Sequence, residues 1–600
     1  MNVTGHIATL ARAATALAAL VALPLVNGCS VQTNVDVTGT APATASHLWL
    51  TVDAVWLATA ADTPPDAASG WQKFALSTPV SFDLATLSAA SLVQAAAGQK
   101  LSAGTYRQLH LVLEDSSNPL SAAAQSAGLS YNAELTTTNA SGTVVTVPLE
   151  FPVPGAGLTI PINVTVGGGI PSLAVSGSSS TGTTDTTTPT PTDSISTGFG
   201  DTTDTTSTDT STAATSDTST ATSTPTSTTT ISLAATIDAA RDVVSYSLGT
   251  DTAYILSPLA RADDESTSGA ISGSIDVSAL PATHAAVFVS AETPDSTQTH
   301  HVVIQRSMVA ADGSFTLYPL PVASQGSQTY DLVIACAGAQ TVIIRGVPVT
   351  AGPVSTPTMV QSTAIALVAS PTVYADLSAQ GPLLPAGTRV DFFETIAAAG
   401  EIPYLIDSTA IDPVTRRLPA DAFALATSPV AVGSYASGST ISLASTSPVE
   451  GNGGYKVGSE GLFRTDTLDL NSSILTGTAT APTLVIAPSP ALVSGALSGT
   501  LTVSVSAPSG LDTGFITVSS GGRIVETDDI SKLLQAGGGT ATISGIPAGS
   551  ALAPSGGPAY QLAVRAWSSG NPDGTITRTA APSSVTLGNS AAATSTIQVP

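Results

Sequence analysis

Basic residues are scarce in this chain. Seventeen Lys and Arg stand against 42 Asp and Glu, leaving a net charge of −25 over 600 residues. No basic run occurs, which argues against nucleic acid as a partner, because gripping a phosphate backbone takes clustered Lys and Arg. Charged residues of both signs make up only 10% of the chain, which is sparse for a cytosolic enzyme. Aromatics are 4%, so the cores have to be built from Val, Ile, Leu and Ala. Two cysteines are too few for a disulfide framework. The chain lacks a Gly-x-Ser-x-Gly elbow, a phosphate loop and a Gly-x-Gly-x-x-Gly turn. Its six histidines are scattered, with only His300 and His301 adjoining. Neighbours on a strand point to opposite faces, so this pair reads as a solvated strand edge rather than a metal grip. Asp263-Asp264-Glu265 and Asp528-Asp529 lack the alternating ligand spacing of a calcium loop. The expectation is a chain with no catalytic residue, no cofactor and no metal, and therefore not an enzyme.

In place of charge the sequence carries Ser and Thr, 52 Gly and 40 Pro. Short β-branched runs punctuated by Gly and Pro turns are the pattern of sandwich proteins. The predicted fold class is all-β: tandem immunoglobulin-like or transthyretin-like β-sandwich modules. At about 100–200 residues per domain, three to five modules are expected.

The first 28 residues read as a signal peptide. A weakly basic start with His6 and Arg12 precedes an apolar run from Ala13 to Val26. That run, about 14 residues, is too short to span a bilayer but suits the apolar region of an export signal. It ends at Val26-Asn27-Gly28-Cys29. This ending resembles a lipobox, in which small residues precede the cysteine that receives the lipid, although Asn27 departs from the usual small residue. The resemblance implies that Cys29 is lipidated, that residues 29–44 are a tether, and that the partner is a membrane. Ser30, a non-acidic residue after the cysteine, implies passage to the outer membrane. The other cysteine, Cys336, falls in Tyr330-Asp-Leu-Val-Ile-Ala-Cys336. There Tyr330, Leu332, Ile334 and Cys336 share one strand face, which predicts a buried thiol.

Residues 45–262 form the first predicted module. Val52, Trp71, Asp83-Leu84 and then Leu101-x-Ala-Gly-Thr-Tyr-Arg-Gln-Leu109 come in an order that resembles a bacterial lipoprotein domain known only as domain of unknown function 4382. Thr236-Ile-Asp-Ala-Ala-Arg-Asp-Val-Val-Ser-Tyr-Ser247 and Tyr254-Ile-Leu-Ser-Pro-Leu-Ala-Arg-Ala262 match its closing segments. The resemblance supplies no activity. An Ala/Leu-rich stretch within 82–101 is expected to form one helix. Residues 176–230 interrupt the module with a tract of Thr and Ser. It contains six aspartates, from Asp185 to Asp217, and no Lys or Arg. Such a composition cannot bury enough apolar surface to order itself, so a disordered insertion is expected.

An internal repeat follows. Gly269-Ala-Ile-Ser-Gly-Ser-Ile-Asp-Val-Ser278 recurs as Gly495-Ala-Leu-Ser-Gly-Thr-Leu-Thr-Val-Ser504. Gly313 to Pro321 lines up with Gly539 to Pro547 at the same offset. Tyr330 to Ala337 matches Tyr560 to Trp567 after a four-residue slip. The first copy, 268–355, opens Gly-x-Ile-x-Gly and carries an Asp312-Gly-Ser-Phe315 hairpin. In this it resembles the carboxypeptidase-regulatory-like family, which implies a transthyretin-like sandwich related in fold to starch-binding modules. The second copy spans 491–600, and residues 356–490 are expected to form a β-rich module between the two.

One ligand site is expected, on the strand Tyr560 to Trp567. Alternation puts Tyr560, Leu562, Val564 and Ala566 on the apolar face, leaving Gln561, Arg565 and Trp567 on the other. A Trp flanked by a cation and an amide suits stacking on a sugar ring. The same residues equally suit packing against a neighbouring strand or domain. The whole reads as a non-enzymatic lipoprotein of the cell envelope displaying binding or spacer modules. The alternatives are a surface lipoprotein that binds glycans or adheres, with a glycan or an envelope protein as partner, and, with less support, an envelope enzyme.

Overall fold

The computed structural model describes residues 31–166 and 230–599, apart from internal stretches of which the longest are 376–382, 397–401, 417–422, 447–454, 470–489 and 570–577. The signal segment, Cys29 and all but the last residue of the 176–230 tract lie outside the described residues. The regular structure of the described chain is almost all β-strand, with two α-helices of five residues each, Ala122–Ser126 and Ser531–Gln535, so the all-β expectation holds.

Twelve strands build the first module. They are β1 (Val31–Thr40), β2 (Ala45–Ala58), β3 (Trp71–Asp83), β4 (Val93–Leu101), β5 (Gly104–Leu113), β6 (Glu134–Thr138), β7 (Val144–Glu150), β8 (Leu158–Val166), β9 (Thr230–Asp238), β10 (Val243–Leu248), β11 (Asp251–Leu256) and β12 (Leu259–Asp264). One sheet has the order β12-β9-β1-β4; the other runs β10-β11-β7-β6-β2-β5-β8, with β3 also on β2. Inward residues alternate along β1 (Val31, Val35, Val37) and β8 (Leu158, Ile160, Ile162, Val164), filling one core together with Leu48, Leu50, Leu111, Leu233 and Ile237. That alternation is the period-2 pattern of a strand with one face on a core.

Two expectations fail here. Residues 31–40 are no tether, because β1 is an inner strand, parallel to β9 on one side and antiparallel to β4 on the other. The Ala/Leu-rich stretch is no helix over 93–101. Those residues pair with β1, Val93 opposite Val37 and Leu101 opposite Val31, with Ala95 and Ala96 buried. Helix propensity yields where a sheet edge and a core face would otherwise stay uncovered.

Register also places the two strands that flank the 176–230 tract. Val166 pairs with Gly104, Leu101 with Val31, and Gln32 with Thr230. The strand entering the tract, the strand leaving it and the start of β1 therefore share one pole of the sandwich. β9 lies against β1 along nine consecutive register positions. A chain cut between 176 and 230 is therefore expected to elute as one species in native gel filtration. Separation of the fragments without denaturant would show that the two halves fold apart.

The second module comprises β13 (Ser268–Asp276), β14 (Phe288–Pro294), β15 (His301–Met308), β16 (Ser314–Pro321), β17 (Ser327–Ala335) and β18 (Val342–Thr350). Its opening glycines are required by close approach. A Cβ at Gly269 would strike the Thr350 carbonyl, and one at Gly273 would come within 2.7 Å of the Phe315 ring. The last module repeats the arrangement. Leu497–Ser506 sits between Gly538–Ala548 and a parallel Ala592–Gln598, as β13 sits between β16 and a parallel Thr358–Met359. Thr513–Ser520 lies between Arg523–Asp529 and Ala559–Trp567, as β14 lies between β15 and β17. Tyr330 and Tyr560 make the same bond, each hydroxyl donating to the carbonyl of a repeat-equivalent proline, Pro321 or Pro547.

Residues 356–490 do not form a module of their own. Thr358–Met359 and Ile365–Ala366 pair with β13, while Val430–Ser434 adds to the β18 edge in parallel. β18 begins with three buried residues in a row, Val342-Ile-Ile344, so its outer edge needs cover on both faces. Ala444–Thr446 extends that edge, Thr372–Ala375 pairs with Phe423–Ala426, and Tyr404–Ala410, Arg389–Glu394, Tyr455–Glu460 and Thr467–Asp469 form a separate four-stranded sheet.

Candidate functional site

The modules do not hang in a line. The last packs on the first through the strand expected to bind ligand, and Gln561, Arg565 and Trp567 are all buried. Strand pairing to Thr513–Ser520 holds the three on one face, as the alternation predicts. That face meets the first module instead of solvent. The Arg565 Nε lies 2.5 Å from Glu150 Oε2, Nη1 donates to the Pro152 carbonyl at 3.1 Å, and Nη2 donates to the Phe151 carbonyl. Burial works against the Arg565 charge, but Glu150 outweighs it and raises the pKa. Trp567 packs edge-on to Phe515, which meets Tyr246 of the first module in the same way, at ring separations of 6.1 and 5.2 Å. The expected ligand site is thus an intramolecular interface. Two features of it were beyond the sequence: the partner strand lies some 400 residues earlier, and a polar face looks the same whether it meets water or another module.

A second junction gathers several buried charges. Asp238 ends β9 and Arg241 and Asp242 lie in the turn after it, His300 directly precedes β15 and Arg306 lies on it, and Arg389 and Asp391 are on the separate sheet. Arg389 bridges two carboxylates, with Nη2 3.2 Å from Asp242 Oδ1 and Nη1 3.2 Å from Glu460 Oε1. Asp242 also accepts the Leu259 amide at 2.7 Å. Between these groups lies a cavity of about 410 Å³.

His300 and His301 border this cavity as buried residues rather than as a solvated edge. His301 stacks on Tyr404 at 3.9 Å, and His300 lies edge-on to Phe393. The added sheet covers β15, a contact that sequence spacing does not encode. Asp238, Arg241 and Asp242 belong to the segment 236–247, yet only the fold supplies Arg389 opposite them.

Burial lifts several carboxyls well above their usual range. Asp242 and Asp391 rise to about 6, Glu292 to about 7 and Glu394 to about 8. Hydrogen bonds from the Ser290 hydroxyl and the Leu405 amide only partly offset this at Glu292. A carboxyl with a raised folded pKa contributes stability that is complete below its unfolded pKa and lost as pH climbs through the folded one. The thermal midpoint should therefore fall from about pH 6.5 to about pH 8.5, as Glu292 and Glu394 titrate. Buried His110, lowered to about 3, acts below that window, where its unfolded form protonates. A midpoint that rises across the window would mean these carboxyls are already ionised in the folded chain, and Glu394→Gln should flatten the fall.

Cys336 sits just past β17 and is half-buried against the second core rather than fully inside it. Its Sγ lies 3.3 Å from the Ala285 carbonyl, and burial pushes the thiol up to about 11. Among the described residues, no group of three or more His, Cys, Asp or Glu is arranged to hold a metal ion.

Comparison with known proteins places one part of the chain. Residues 31–168 match the family model described as Domain of unknown function (DUF4382), a match that begins at β1 and ends just after β8. No curated protein matches the chain. Among solved structures the chain is similar to the Bacillus anthracis TIE protein, at 9% identity over 61% of this chain and 58% of that one, with a TM-score of 0.13. It is also similar to the full-length major pilin SpaD from Corynebacterium diphtheriae, at 9% identity over 56% and 99%, with a TM-score of 0.12. The chain thus spans just over half the length of the first of these.

Proposed function

We propose that this chain is a non-enzymatic lipoprotein of the cell envelope, anchored in the outer membrane by lipid on Cys29 and carrying its β-modules as a binding or spacer body. The observation that carries the reading is the position of β1. Val31 starts an inner core strand two residues after Cys29, where the apolar leader ends. Lipid on Cys29 would then hold the first sandwich directly against the bilayer. Among the described residues no helix is long and apolar enough to cross a membrane. The test is labelled-palmitate incorporation in a bacterial host. Label is expected on the full chain and lost in Cys29→Ala, with the variant leaving the membrane fraction. Undiminished labelling of that variant would overturn the reading.

The glycan-binding alternative loses Trp567 but keeps one place on the first module. Trp56 and Trp71 are partly exposed with ring centroids 6.1 Å apart, and the Lys73 amine lies 4.0 Å over the Trp56 ring. Tryptophan fluorescence titrated with polysaccharides separates the two readings, a silent titration favouring the spacer.

A further inference from the structure

We infer that the cavity between the first module, the second module and the separate sheet is a binding site for a small oxyanion, a carboxylate- or phosphate-bearing solute gripped by Arg241 and Arg306. Arg241 is 6% exposed, and its Nε and Nη2 have no hydrogen-bond partner among the described residues. Arg306 is 7% exposed, and its Nε is likewise unpartnered. Leaving a buried donor unmatched is costly, and more so when it is charged. In arginine, Nε–H and the neighbouring Nη2–H lie parallel along one edge of the guanidinium plane. That edge matches the spacing of two oxygens of a carboxylate or phosphate. At Arg241 both donors of that edge are free.

Both arginines line the 410 Å³ cavity and a second one, of about 340 Å³, on its other side. Volumes of this size fall in the range that holds small solutes. Three carboxyls feel the charge of Arg241 but take their hydrogen bonds from other groups. Glu292 takes the Ser290 hydroxyl and the Leu405 amide, Asp407 takes the Ser408 amide, and Asp391 is held by the Ser408 side chain. Arg389, by contrast, is occupied by Asp242 and Glu460 and serves as structural cement. Arg306 is steadied by the Phe288 ring, 5.7 Å from its guanidinium carbon.

The experiment is isothermal titration of the full chain with inorganic phosphate and, separately, with citrate, each against potassium chloride of equal ionic strength. One saturable site is expected for at least one of the two. Phosphate alone would identify a phosphate-bearing ligand, and citrate alone a carboxylate. Arg241→Gln and Arg306→Gln should each weaken that binding at least ~10-fold, as the loss of one charge-assisted bidentate contact implies. Arg107→Gln, which alters an exposed arginine of the first module bonded to Asn163, should leave it unchanged. Thermal midpoints in chloride report whether each variant is folded, and either arginine variant suffices alone. Absence of saturable binding of both anions, or equal binding by the folded Arg241→Gln and Arg306→Gln variants, overturns the site.

Discussion

Replacing Arg565 by alanine is expected to detach the last module from the first at a cost of about 3–5 kcal/mol, the range for removing one partner of a buried ion pair. Arg565 is 1% exposed and gathers Glu150 and the carbonyls of Phe151 and Pro152. Its removal leaves two buried carbonyls without donors and a hole under Trp567 and Phe515. Glu150 loses less, because its side chain is 21% exposed and still accepts from the Tyr246 hydroxyl at 2.8 Å. The converse change, Glu150→Gln, leaves an enclosed cation without its counter-charge and should cost at least as much. Denaturant unfolding monitored by tryptophan fluorescence checks both. Each variant should gain an early transition as Trp567 is exposed, with the later transition of the isolated modules kept. A variant that unfolds at the wild-type midpoint in a single step would mean that the interface contributes nothing and that the modules are independent.

The second large effect concerns residues 31–40. Deleting them, with the export segment kept, removes an inner strand from the β12-β9-β1-β4 sheet and leaves two bared edges, β9 and β4. Val31, Val35 and Val37 leave the core together with the strand. Burial of three valines and an inner strand's ladder is comparable with the roughly 5–15 kcal/mol by which a domain is stable, so the first module should not fold. Circular dichroism melting and protease sensitivity of 45–166 check this. If 31–40 were a tether, the truncated chain would melt as wild type.

These two regions show what period-2 patterning reveals. Along Tyr560 to Trp567 it separated the faces correctly, and along Ser268–Asp276 and Leu497–Ser506 the recurrence of short motifs announced two sandwiches of one topology. Along 31–44 the same alternation was present in Val31, Thr33, Val35 and Val37, but without its partners a lone strand after a leader reads as linker. Strand β9, its parallel neighbour, lies beyond the Thr/Ser tract, about 200 residues away. The junction cavity was hidden for the same reason. Arg241, Arg306 and Arg389 lie on three separate stretches, each an unremarkable single charge. Only the packing of the first module against β15, and the cover the separate sheet gives β15, bring them together. Sequence period records which face of a strand is apolar; it does not record what lies against the polar face.

The shared pole of β1, β8 and β9 has an electrostatic consequence. The tract between Val166 and Thr230 carries six aspartates and no Lys or Arg, and the strands on either side of it, β8 and β9, end and begin beside the start of β1. If Cys29 carries lipid, as proposed, this acidic tract joins the fold, through β8 and β9, at the same end of the sandwich as the anchor. Like charges repel with a strength set by the ionic strength, since the screening length is about 8 Å at physiological salt and about 30 Å at a tenth or less of it. On that proposal the hold of the protein on an anionic membrane would be weaker at low salt and stronger at high salt.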